Sequence, residues 1–157
     1  MARANPQWQH FASGDEVLAI FHGPHSYISP SWYETELAVP TWNYATVHAY
    51  GAPTVISDHE RVVSLLRETV STYEASFEQP WPGDLPDELR DKLMQGIVAF
   101  EMPITRIEGK FKLGQNRPAA DLRGVIDALS SADDADSRAI AQMMLAECNI
   151  KRAEGDE

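Results

Sequence analysis

The stretch Thr41-Trp42-Asn43-Tyr44-Ala45-Thr46-Val47-His48-Ala49-Tyr50 decides how the chain folds. Successive side chains of a strand point to opposite faces. Trp42, Tyr44, Thr46, His48 and Tyr50 therefore share one bulky, aromatic face, and Thr41, Asn43, Ala45, Val47 and Ala49 share a small one. A period of two over ten residues predicts a strand and not a helix. Upstream, Val17 to Phe21 is a short continuous apolar run ended by Gly23-Pro24, the pattern of a strand buried on both sides. His25 to Ser29 reads as a second short strand closed by Pro30. Downstream, Gly51-Ala52-Pro53 makes a turn from which Thr54 to Ile56 can pair back.

Beyond this cluster the period changes. Ser57 with Glu60 three residues later forms a capping-box pattern, and Val62, Leu66, Val70, Tyr73 and Phe77 recur at spacings of four and three. These predict an amphipathic helix of about five turns that stops before Pro80-Trp81-Pro82-Gly83. A short helix with Pro86 in its first turn runs to about Met94. Ile97 to Ile107 alternates again, with Pro103 confining that strand to an edge or a bulge. Pro118 opens a helix striped by Leu122, Val125, Ile126 and Leu129, and Asp133 to Asn149 forms the last helix, with a frayed end after Ile150. Strands gather early and helices late, which favours an α+β sheet or barrel over a doubly wound fold.

The 157 residues bear a formal net charge of -11, which argues against broad binding to nucleic acid or anionic membranes. There is no apolar run of eighteen residues and no basic-then-apolar leader, so the expected location is cytoplasmic. Cys148 is the one cysteine and is assigned no role. Phosphate loops, nucleophile elbows and HExxH pairs are absent. His22 and His25 flank Gly-Pro without a cysteine or carboxylate beside them and are read as structural, so no metal is expected.

Three segments concentrate groups suited to a planar, anionic ligand. They are Tyr27-Ile28-Ser29-Pro30-Ser31-Trp32-Tyr33, Thr41-Trp42-Asn43-Tyr44, and Gly109-Lys110-Phe111-Lys112-Leu113-Gly114-Gln115-Asn116-Arg117-Pro118. The last lies in a locally basic island, where Arg106, Lys110, Lys112, Arg117 and Arg123 outnumber Glu108 and Asp121, and it leads into a helix N-terminus suited to anions. An aromatic body with a charged tail fits all three, but the residue types alone do not choose among such ligands.

The strings FHGPHSYISPSWY, VPTWNYATVHAYG and IEGKFKLGQNRPAADLRGVI, in this order, resemble the signature blocks of the PaiB-like FMN-binding negative transcriptional regulators. The resemblance covers nearly all of residues 2 to 130. It implies a split β-barrel related to the pyridoxamine-phosphate oxidases, with flanking helices, commonly a homodimer holding FMN at its interface. Residues 1–130 would form the flavin-binding domain and 131–157 a C-terminal helix and tail. Carried over by residue, it makes Arg3 in Ala2-Arg3-Ala4-Asn5-Pro6 a phosphate ligand and sets Tyr27 and Ser29 beside the isoalloxazine. It places Trp42 and Asn43 on the next ligand strand, and Lys110, Lys112, Gln115, Asn116 and Arg117 in the C-terminal ligand block. Relatives more often have serine where Gly114 stands. They also carry strands ahead of Ala2, so the barrel is expected to be incomplete at its N-terminus and the chain to self-associate. No catalytic residue follows. A weak flavin-dependent oxidoreductase, a regulatory or protein-interaction module acting without flavin, and a haem or other small-molecule binder using His22, His25 and His48 all stay open.

Overall fold

In the computed structural model, residues 1–148 are described, and they form two compact units. The first comprises residues 1–18 and 50–106, the second 19–49 together with 107–148. The strands are β1 (Val17–Ile28), β2 (Thr41–Gly51), β3 (Thr54–Val55), β4 (Phe100–Glu101) and β5 (Arg106–Lys112). The helices are α1 (His59–Glu74), α2 (Asp87–Met94), α3 (Ala119–Ser130) and α4 (Ala135–Glu147). The fold is α+β. One sheet has the order β1-β2-β5 and the other pairs β3 with β4.

The alternation read in residues 41–50 is borne out as β2, the central strand of the larger sheet. Phe21 O accepts from Thr46 Oγ1 while Tyr27 packs edge-on against Trp42, so β1 and β2 run in opposite senses. Lys112 meets Thr41 at one end of β5 and Arg106 meets Tyr50 at the other, which makes β5 antiparallel to β2 as well. This order leaves β1 and β5 as edges, and the described residues close no barrel.

Several expectations are corrected. Gly23-Pro24 does not end a strand, because β1 continues through it. Proline lacks the amide a central ladder would need but is tolerated on an edge. Gly23 also packs tightly against β2, since a Cβ there would lie 3.2 Å from Ala45 O. The run Val17 to Phe21 is not buried on both sides, and Phe21 is 60% exposed. Thr54-Val55 pairs with Phe100-Glu101 and not back onto β2. The strand expected over Ile97 to Ile107 is broken near Pro103 into a bridge between Ile97 and Ala2, the short β4, and the start of β5. β5 then runs through Lys110 to Lys112, beyond Ile107, where the expected strand ends.

In the first unit Pro6–Ser13 forms 3-10 turns capped by Asn5, and Phe11 packs on Phe100 with ring centroids 5.1 Å apart. Helix α1 starts one residue later than its pattern suggests. Asp58, not Ser57, takes the cap and accepts from Arg61 N at 2.8 Å. Its expected apolar stripe does not all reach a core: Tyr73 and Phe77 stand exposed, and Phe77 lies past the helix end. Helix α2 ends at Met94 as its pattern predicts, with Pro86 at its N-cap and not in its first turn.

The second unit holds the larger core. Leu122, Val125, Ile126 and Leu129 of α3, all expected on one stripe, are buried against Ile140, Ala141 and Met144 of α4 together with Ile28 and Leu113. The last helix begins at Ala135, capped by Asp134, whose carboxylate accepts from Ser137 N at 2.7 Å. Its expected end at Asn149, and the tail after Ile150, lie outside the described residues.

Candidate functional site

The two faces of β2 have different fates. Asn43, Ala45 and Ala49 of the small face are buried, and the Asn43 amide donates to Met144 Sδ at 3.5 Å. The aromatic face stays open. Trp42 and Tyr44 line a cavity of about 510 Å3 with Ile20, His22, His25, Thr46, His48 and Lys110. That volume lies in the range of small-molecule sites.

The cavity owes its wall to Gly23-Pro24. Residues three apart on a regular strand point to opposite faces, yet His22 and His25 both line the cavity while Ser26 and Ile28 enter the core. The Gly-Pro step therefore shifts the alternation of β1, as a bulge does. His25 lies 6.0 Å from the Trp42 ring and 3.3 Å from the Asp136 carboxylate, and Tyr27 meets Trp42 edge-on, also at 6.0 Å. The Trp42 indole is thus braced on one side and half exposed on the other. Among the described residues no three His, Cys, Asp or Glu side chains converge as metal ligands.

Lys110 lines the cavity without a hydrogen bond or ion pair among the described residues. Lys112 donates to Thr41 Oγ1 and lies 6.0 Å above the Tyr44 ring. Aromatic faces attract cations of this kind. Aromatic walls for a heterocycle, with an unspent ammonium for an anionic tail, fit FMN chemically.

Gln115, Arg117, Ser29 and Arg3 have partners of their own. Gln115 closes the turn after β5, accepting from Leu113 N at 2.9 Å and donating to Phe111 O at 2.7 Å. The Arg117 guanidinium stacks 4.4 Å from the Tyr33 ring and lies 3.8 Å from Asp121. Ser29 caps a 3-10 turn, accepting from Ser31 N and sharing a 2.7 Å hydroxyl bond with Ser31. Asn116 is exposed beside Arg117. Arg3 belongs to the first unit, where it donates to Gln95 O at 2.8 Å and Ile97 O at 2.9 Å and packs on Trp8. The fold thus brings Trp42 and Lys110 together at the cavity, with Tyr27 packed against Trp42 and Lys112 near the Tyr44 ring.

Two residues gain a role that the residue-by-residue assignment did not give them. Tyr44 forms cavity wall, a position legible from the alternation of β2 once the buried face is known. Asp121 is 1% exposed and accepts from Glu34 N, Thr35 N and Thr35 Oγ1 at 3.0, 3.1 and 2.8 Å. Burial alone would raise its pKa, but these bonds and Arg117 outweigh burial and hold the carboxyl below its ordinary range. Burial pushes the Cys148 thiol up, helped by Glu147, which suits a packing role.

A family model described as "Putative FMN-binding domain" matches residues 1–106. The chain is 37% identical over 144 residues to the protease synthase and sporulation protein PAI 2 of Bacillus subtilis, covering 91% of this chain and 69% of that protein. An uncharacterised protein of Aspergillus fumigatus is 37% identical, over 72% of this chain and 51% of its own length. One from Emericella nidulans is 33% identical, over 83% and 58%. The chain thus spans between half and about two thirds of these relatives. With a family model matched over two thirds of its residues and PAI 2 aligned along nearly all of it, the chain belongs to the PaiB-like family of FMN-binding-domain proteins.

Proposed function

We propose that the chain binds FMN on the open aromatic face of β2, with Trp42 and Tyr44 against the isoalloxazine and Lys110 and Lys112 serving the phosphate. The observation that carries this reading is the 510 Å3 cavity over the Trp42 and Tyr44 rings, with an unpaired ammonium in its wall, in a chain of this family. Bound flavin supplies hydride and single-electron chemistry. The protein's share is to stack the ring, neutralise the tail and shield the site from water.

The finer architecture belongs to the same reading. The β1-β2-β5 sheet is taken as part of a split barrel, and a second copy as the cover of its open face. Exposed Leu18, Ile20 and Phe21 on the β1 edge support such a cover, because an unpaired apolar edge favours association. PAI 2 is named for protease synthesis and sporulation, which favours a regulatory role. At a net charge of -11, that role would run through a metabolite or protein partner and not through direct contact with DNA.

The test is an absorbance spectrum of the purified protein followed by an FMN fluorescence titration. Saturable quenching is expected. Lys110→Ala should weaken it roughly tenfold at low salt and less at high salt, because the lost contact is charge-assisted. A colourless protein that leaves FMN fluorescence unchanged at excess ligand overturns the proposal.

A further inference from the structure

The first unit contains a larger concavity of its own. Val63, Leu66, Arg67, Val70, Ser71 and Glu74 follow one another at helical spacing along α1, and all six line a cavity of about 880 Å3. The segment Pro80-Trp81-Pro82-Gly83 and α2 form its other walls. That segment is fixed in place. Trp81 N donates to Glu74 Oε2 at 2.7 Å, and Gly83, at φ 76°, turns against Val70 where a Cβ would come within 3.4 Å. An apolar stripe that predicts the helix is therefore left partly open and faces an indole that is 47% exposed.

The polar groups of this cleft are unevenly spent. Glu74 already accepts from Trp81. Arg90 is held between Asp87 at 2.7 Å and Asp91 at 3.0 Å, and its pKa is raised, first by the Asp91 hydrogen bond. Arg67 and Ser71 stand one turn apart on the same helix face, and neither side chain has a hydrogen bond or ion pair among the described residues. A guanidinium fork with a hydroxyl beside it matches a carboxylate, and the surrounding apolar wall matches a hydrocarbon body. The cavity has the size and composition of a ligand pocket.

We propose that this cleft binds a small organic carboxylate with an aromatic or branched aliphatic body, its head on Arg67 and Ser71 and its body against Leu66, Val70 and Trp81. The site stands independently of flavin binding. Asp84 also lines the cleft without a partner, so a cationic ligand is the discriminating control. Phenylbutyrate, phenylbutyramide and phenylbutylamine are titrated into the full chain while the Trp81 indole N–H signal, assigned with Trp81→Phe, is followed by NMR. The carboxylate should shift this signal saturably and the amide should bind roughly tenfold more weakly. Arg67→Ala should abolish the preference at unchanged Tm, and Arg67→Lys should keep part of it. Equal binding of carboxylate and amide, tighter binding of the amine, a shift that never saturates, or an Arg67→Ala protein that keeps the preference would each overturn the proposal.

Discussion

At the scale of single residues, Asp121 shows how a buried charge stabilises a loop. Its carboxylate gathers two backbone amides and a hydroxyl from Glu34 and Thr35, anchoring the chain between β1 and β2 onto α3. A carboxyl with a folded pKa below its unfolded value contributes stability that is fully present above the unfolded value, near 4, and lost as pH falls through the depressed one. Asp134 acts in the same direction, first through the Ser137 amide and hydroxyl. Asp121→Asn should therefore lower Tm at pH 7 and flatten the fall in stability below pH about 4. Thermal melts across that range check it, and a variant with the wild-type acid profile contradicts the assignment. Little at Asp121 itself announced this role, because its partners lie 86 and 87 positions away in sequence.

Among the elements, α3 and α4 form the part of the molecule whose packing is most fully determined. Ile140 is completely buried, so Ile140→Ala should cost about 2–5 kcal/mol in urea unfolding. Gly124 in α3 gives a sharper test. Glycine within a helix is ordinarily worse than alanine by about 1 kcal/mol, so propensity alone predicts that Gly124→Ala stabilises. Here a Cβ would collide with Trp32 O, and an overpacked contact costs about 1–3 kcal/mol. The variant should be destabilised, and a raised urea midpoint would show that the Trp32 turn gives way. The α3 stripe was legible because every residue on it meets a neighbouring helix of matching character. The β1 interruption was misread because Gly-Pro is a stop signal in most contexts, and only the edge position of the strand permits continuation.

For the whole molecule, the expectation is a second copy covering the exposed face of the sheet. Light scattering should report about twice the 17.5 kDa chain mass. Phe21→Glu should shift the mass toward the monomer and weaken FMN binding in parallel, since a flavin shared between copies loses one wall. A monomer with undiminished flavin affinity would separate the two properties. The sequence by itself determined the local periods: the strand at 41–50, the helices after Ser57 and Pro118, and the family carried by three ordered motif blocks. These depend on neighbours a few positions apart and on backbone chemistry, which a linear pattern records. Tertiary structure alone decided which face of β2 is buried, that β5 carries Lys110 to the cavity beside Trp42, and that Gln115 and Arg117 already have partners within the fold. Those outcomes depend on which surfaces meet across dozens of residues, where burial and competition for partners outweigh local preference.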